Sequence, residues 1–450
     1  MSNRNKKVII ILFVYLIAII LFTFFSKTVS FHDTYEYITL TKEFAGISNI
    51  NVYTTHSLIY PFFVGQILKF FPSFFTIKFL SSIWLFLNGL LIYLYSRNKK
   101  ALLIWMLSPL SWFMSIQYIP ILPASFFILL GYILFKKYEE KNSKFYFIIS
   151  ALSMGFSIII YFPAIAVVTF FMISFMFKKK FYFPFLYMVL MLISFLPEII
   201  LNYIFFNFPF YSFVRYFGIN ALVILGKSFE VKFIYLYWLL VPFAISPLLY
   251  KILKLKFKNY KRELIFVTLL ILFFAIRGGS INYFLLFSPI LILLISQKVN
   301  EKEIYISSII SIVLIIFMTH SYFGYTMDEK ITNDLNKIKL EYPNNKFLTS
   351  NNRANALATF SWSDYPKFIW LWEYELEKSN KNTTSEYEIR SKPSISSDKT
   401  LVLNARLDKS NNIKFGSDIY LIAVKGDKVP GGFYLVKEYN VLNIYKAFNL

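Results

Sequence analysis

Ten carboxylates lie in the first 320 residues. Five of them, at 139, 140, 263, 301 and 303, sit in or beside lysine-rich loops. The other five are Asp33, Glu36, Glu43, Glu198 and Glu230. A general base must lie within hydrogen-bond reach of the proton it takes. Asp33, Glu36 and Glu198 are the candidates. Asp33 opens His32-Asp33-Thr34-Tyr35-Glu36-Tyr37. It reads as a helix N-cap or as a base facing a cavity. By 3.6-residue periodicity Asp33, Glu36 and Glu43 share one face of a helix running to about Gly46, with Tyr37 and Phe44 turned away. Glu198, in Leu196-Pro197-Glu198, falls inside an apolar stretch. An ionisable group there is a functional candidate by default, or it lies close enough to the interface to stay wet.

A phosphate-bearing substrate calls for fixed cations. Arg215, Lys227, Lys232 and Arg277 stand apart from the lysine-rich loops. Arginine suits phosphate, because its planar fork binds two oxygens and never loses its charge. Arg277 begins Arg277-Gly278-Gly279-Ser280, where glycines let backbone N–H groups approach an anion or simply make a tight turn. His56 precedes Ser57-Leu58-Ile59-Tyr60-Pro61. With three His and no Cys in the chain, no ligand spacing for a resident metal is visible.

These residues need elements to hold them, and composition makes those elements membrane helices. The chain is 57% hydrophobic, with 53 Phe and 33 Tyr, and its mean hydropathy is +0.55. Its apolar runs match the roughly 17–25 residues that cross a bilayer core. The net charge of +22 is unevenly placed. Residues 1–320 hold 29 basic and 10 acidic residues, against 18 and 15 in the remainder. That excess is a topology signal, since Lys and Arg accumulate in cytoplasmic loops, and it leaves nucleic acid no basic domain to bind.

Residues 8–25 read as an uncleaved signal anchor. Basic loops at 97–100, 136–144, 178–180, 251–262 and 298–302, together with the N-terminal cluster, hold 21 of those 29 basic residues. Placing them all inside makes 57–71 an interfacial helix. Spans are then expected near 8–25, 74–95, 101–118, 120–135, 145–161, 163–177, 183–206, 233–250, 264–277, 281–297 and 303–320, about eleven in all. Outer loops fall at 26–73 and 207–232. The same parity brings Asp33, His56, Tyr118–Pro120, Tyr161–Pro163 and Arg277 to the outer face.

After residue 322 the composition turns mixed and polar. Residues 327–341 read as a helix with acids early and lysines late, matching the helix dipole. Short β-type runs follow at 346–349, 368–372, 401–403, 419–424 and 433–436, with a helix at 353–360 and a polar loop at 378–399. The expected fold is therefore a polytopic α-helical membrane module, 1–322, followed by a small extracytoplasmic α/β domain, 323–450. Asn382-Thr383-Thr384 is a glycosylation acceptor pattern.

Several of these motifs stand in an order that resembles the GT-C superfamily of membrane glycosyltransferases. The likeness is to the branch of protein O-mannosyltransferases and lipid A aminoarabinose transferases. His56-Ser57-Leu58-Ile59-Tyr60-Pro61 is similar to that family's His-Pro-Pro-Leu-Tyr-Pro stretch. Leu107-Ser108-Pro109 with Tyr118–Pro120, and Phe195-Leu196-Pro197 through Asn207-Phe208-Pro209, resemble two further stretches. Arg277 with Asn282-Tyr283-Phe284 and Pro289 resembles its Arg-Tyr-x-x-Pro stretch. The resemblance implies transfer of a sugar from a polyprenyl or dolichyl phosphate carrier to a protein or glycan acceptor at the outer leaflet. It makes Asp33 the base and Arg215 and Arg277 the phosphate ligands; Glu36 and Glu198 join the catalytic candidates, and Lys227 the phosphate-binding ones, from their own placement. His56, Tyr37 and Tyr283 would line the substrate. No resident cofactor is named, and a divalent cation stays open. Two other readings are a flippase of lipid-linked glycans and a non-catalytic membrane scaffold. A transporter calls for interrupted spans at matching positions, and no repeated halves are visible in the sequence.

Overall fold

A computed structural model describes residues 3–26, 34–47, 56–176, 182–225, 241–277, 281–323, 327–342, 347–349, 368–370, 420–426, 429 and 433–447. Among the described residues four helices are long and apolar enough to cross a membrane: Lys6–Phe25, Phe74–Ser96, Ile121–Lys141 and Glu301–His320. A fifth crossing exists if Tyr182–Ile193 and Leu196–Phe206, bent by 40°, count as one span. This is a helical membrane protein, with a small sheet near its C-terminal end.

In chain order the helices begin with α1 (Asn3–Phe25), α2 (Thr34–Phe44), α3 (Ile59–Leu68) and α4 (Phe74–Ser96). The next are α5 (Lys99–Met106), α6 (Pro109–Ser115), α7 (Ile121–Lys141), α8 (Lys144–Ile160) and α9 (Ala164–Met176). Then come α10 (Tyr182–Ile193), α11 (Leu196–Phe206), α12 (Tyr211–Leu225) and α13 (Val241–Ile245). Last in the membrane module are α14 (Phe257–Arg277), α15 (Ser288–Ser296) and α16 (Glu301–Phe323). Among the described residues two 3-10 segments, Pro247–Lys254 and Ile281–Leu286, interrupt the series.

Beyond the bend between α10 and α11 and the change to 3-10 geometry at Pro247, two more expected spans are not continuous helices. The stretch 101–118 is split into α5 and α6 at Leu107-Ser108-Pro109, and 281–297 is split into a 3-10 segment and α15 at Phe287-Ser288-Pro289. The cause is the same: proline lacks an N–H and starts a new helix rather than continuing the old one. Inside an apolar bundle the freed carbonyls must find donors. Trp112 Nε1 donates to the Met106 carbonyl at 2.6 Å. Ser125 Oγ and Ser288 Oγ donate to the Leu285 carbonyl at 2.8 and 3.1 Å. The two broken segments run antiparallel, α5 packing on α15 and α6 on 281–286. Every residue of α15 is buried, as expected of a helix apolar on all sides at the centre of a bundle.

Four of the five basic loops meet at one end. Lys99 pairs with Glu301 at 3.1 Å, and Lys100 Nζ donates to the Val299 carbonyl at 2.8 Å. Lys251 pairs with Glu303, Arg262 with Glu139, and Lys136 with Glu263 at 2.6 Å. The fifth loop, 178–180, lies outside the described residues. α8 starts at this basic end and is 17 residues long; at 1.5 Å per residue it spans about 25 Å. Its far terminus therefore marks the opposite end of the bundle.

In the C-terminal region α17 (Met327–Glu341) falls on the expected helix. Strands β1 (Phe347–Thr349), β2 (Phe368–Trp370), β3 (Tyr420–Val424), β4 (Phe433–Glu438) and β5 (Leu442–Ala447) form one sheet in the order β2-β1-β3-β5-β4. β1 runs parallel to β2 and β3, and β5 antiparallel to β3 and β4. Asp334 of α17 accepts from the N–H groups of Val441 and Leu442 at 2.7 and 3.0 Å, fixing the helix to the turn before β5. The expected elements at 353–360, 378–399 and 401–403, and Asn382, lie outside the described residues.

Candidate functional site

Glu198 is fully buried, and its surroundings explain how an acid is tolerated there. Pro197 opens α11 just after the bend. Glu198 Oε1 accepts from Leu58 N at 3.0 Å, Ser212 Oγ at 2.8 Å and Asn202 Nδ2 at 3.2 Å. Oε2 accepts from Leu58 N, Ile59 N and Ser57 Oγ, each at 3.1 Å. The Ser57 hydroxyl also contacts the Ile159 carbonyl at the far end of α8. Two of those donors are the first N–H groups of α3, which has no side-chain cap of its own. The carboxylate therefore caps α3 from a distant helix, satisfying orphan donors and meeting the positive end of the dipole. One turn on, Asn202 Oδ1 accepts from Ser212 N at 2.8 Å, tying in the first turn of α12. Every acceptor direction of the acid is engaged by protein. Its geometry is that of an anchor between α11, α12 and the start of α3.

That anchor sets the residues around α3. His56, two residues before Leu58, stacks on Tyr37 of α2 with ring centroids 4.7 Å apart. Tyr37 meets Tyr118 edge-on at 6.5 Å, and the Tyr118 hydroxyl bonds Thr41 Oγ1 at 2.6 Å. Close packing of α2 on α3 depends on Gly65, where a Cβ would stand 2.7 Å from Phe44 Cβ and 2.9 Å from the Thr41 carbonyl. Tyr37 and Phe44, which periodicity turns away from the acids, are both buried.

α12 carries Arg215, which is buried. Its Nη1 donates to the Tyr211 hydroxyl, and the guanidinium lies 5.1 Å from the Tyr211 ring centre. Phe162 packs on Phe213 and Tyr216 of the same helix at 4.9 and 5.2 Å. Its neighbour Tyr161 lies 6.3 Å from Tyr283, which in turn stacks on Phe274. Ring contacts, hydrogen bonds and steps along the chain thus connect Tyr37, His56, Glu198, Arg215, Tyr161 and Tyr283 at the end away from the basic loops.

Asp33 and Lys227 lie outside the described residues, and the side chains of Glu36 on α2 and Arg277 at the end of α14 are not described. Lys78 was missed by the sequence reading. It is buried in α4, and its Nζ donates to the Thr23 and Ser26 carbonyls at 2.8 and 2.6 Å. A cation there closes the C-terminus of α1, the sign the dipole favours. Its signal was visible as a charge inside an apolar run. Among the described residues no three His, Asp or Glu side chains cluster so as to hold a metal ion.

The fold and this site define a polytopic helical membrane protein with a buried polar cluster near one end. No protein-family model, curated protein or solved structure matches the chain.

Proposed function

We propose that the chain is a glycosyltransferase of GT-C type that moves a sugar from a polyprenyl or dolichyl phosphate to a hydroxyl acceptor at the outer membrane face. The observation that supports this best is that set of connections. His56 and Tyr37 stack on each other, Arg215 is tied to them through α12, Glu198 and the start of α3, and Tyr283 through Tyr161 and Phe162, all toward the end opposite the basic loops. In this reading the acceptor oxygen forms a bond to the anomeric carbon, the carbon–phosphate oxygen bond breaks, and the acceptor proton passes to Asp33 or Glu36. Positive charge from Arg215, Lys227 and Arg277 stabilises the departing phosphate. Aromatic faces at His56, Tyr37 and Tyr283 flank the sugar. Glu198 holds α3 in place and takes no proton.

The test is transfer of radiolabel from a polyprenyl-phosphate sugar by the purified chain. Asp33→Ala should cut the rate by about a hundredfold or more, the lower range for a general base, with expression intact. Wild-type rates in Asp33→Ala together with Glu36→Ala would end the base assignment.

A second reading, a flippase of lipid-linked glycans, draws support from the two helices interrupted at Ser108-Pro109 and Ser288-Pro289. It calls for movement of a labelled lipid-linked sugar across proteoliposomes without transfer to any acceptor.

A further inference from the structure

The basic end of the bundle carries far more cation than its own acids neutralise. Residues 97–100, 136–144, 251–263 and 297–303 hold fifteen Lys and Arg against five Glu. Four of those Glu are engaged by Lys99, Lys136, Lys251 and Arg262. Lys254, Lys256, Lys258, Lys298 and Lys302 stand exposed around them.

The segment 247–262 has a form that decides what such a surface would meet. The Ser246 hydroxyl accepts from Leu248 N at 3.2 Å and starts the 3-10 turn Pro247–Lys254. Leu248 and Leu249 are buried as that turn packs on α15 and α16. On its outer side Leu253 is 89% exposed and Tyr250 is 41% exposed, with Lys254 Nζ 6.0 Å from the Tyr250 ring centre. An exposed Leu and Tyr among lysines is unfavourable in water. At the edge of a bilayer it is favourable, with apolar tips entering the acyl boundary and ammonium groups at headgroup depth.

We propose that this surface, centred on residues 247–258, binds the headgroups of anionic phospholipids. The inference rests on the membrane fold and the charge at this end, not on sugar transfer. A lipid surface meets both features at once, anionic headgroups at the lysines and the acyl boundary at Leu253, in a protein already seated in a bilayer. The attraction is a surface one and should weaken as salt rises.

The test uses the full chain in nanodiscs of phosphatidylcholine containing a minority of phosphatidylglycerol, with retained lipid counted by native mass spectrometry. Wild type should retain phosphatidylglycerol above its bilayer ratio, and high salt should remove that excess. The triple variant Lys254→Gln, Lys256→Gln, Lys258→Gln should lower the preference about tenfold or more, from the usual contribution of a lysine at an anionic surface. Retention of both lipids in their bilayer ratio by wild type would overturn the proposal, as would an undiminished preference in the triple variant. Should that variant fail to reconstitute, the salt titration of wild type decides: a preference unchanged by salt overturns the proposal, and its collapse supports it.

Discussion

Removing the Glu198 carboxylate takes an acceptor from two backbone N–H groups, two hydroxyls and an amide; Ser57 keeps the Ile159 carbonyl and Asn202 keeps Ser212 Oγ, but Leu58 N and the Ser212 hydroxyl are stripped of theirs. An unsatisfied buried polar group costs about 1–3 kcal/mol. Glu198→Ala should therefore lower stability by at least about 2 kcal/mol, read as a lower thermal midpoint in detergent and faster amide exchange at residues 57–60. Glu198→Gln should lose less. Its carbonyl still accepts, but its new N–H₂ faces donors at Leu58 and Ser212. Wild-type stability in Glu198→Ala with lost transfer would return this acid to the catalytic set. The sequence marked Glu198 as special because burying a charge is costly. It could not reveal that α3, 140 positions upstream, supplies the compensating donors. Lys78 went unmarked although the same argument applied, because a single lysine did not disturb the span it sat in.

Among the elements, the breaks were the hard part to read. An apolar run says that a segment is buried, not that it is one helix, so Ser108-Pro109 and Ser288-Pro289 passed as interior positions. What makes the breaks tolerable is remote capping, which sequence spacing does not encode. Trp112→Phe should expose this. It keeps the ring's contacts with Phe22 and Tyr15 in part but strands the Met106 carbonyl, at about 1–3 kcal/mol. Unfolding in a denaturing-detergent titration measures it, and a midpoint equal to wild type would mean another donor reaches that carbonyl. The C-terminal elements were easier. α17 and the strands β1 to β4 carried their own patterns, while β5 was missed because its alternation is short and starts straight after a turn. α17 is tied to β4 through Glu341, whose carboxyl accepts from Lys437 Nζ and the Tyr439 hydroxyl at 2.5 and 2.6 Å. The bond from Lys437, and then that from Tyr439, holds Glu341 below its ordinary value of 4.5. A depressed carboxylate gives stability that is present above that ordinary value and is lost as pH falls through the lower folded value. Exchange protection of 433–447, corrected for intrinsic rates, should drop below about pH 4.5. Glu341→Gln should lack that step, and a step that persists in the variant would assign it to another acid.

For the whole molecule the open quantity is sidedness. The basic loops meet at one end and the polar cluster lies at the other. Charge bias in loops sets orientation in membranes, with Lys and Arg kept inside. An outer-leaflet sugar donor requires the polar cluster to face out. The chain offers a clean assay, because it has no cysteine and any thiol introduced is the only one present. Exposed positions are available at Ile47 after α2, Asn440 between β4 and β5, and Lys258 at the basic end. In intact cells a membrane-impermeant maleimide should label Ile47→Cys and Asn440→Cys. Lys258→Cys should be labelled only after permeabilisation. The reverse pattern would put the site against the cytoplasm, where an outer-leaflet donor could not reach it. Labelling of all three from outside would mean that the basic loops and the polar cluster do not lie on opposite sides of a bilayer, and the topology drawn from charge would fall with it.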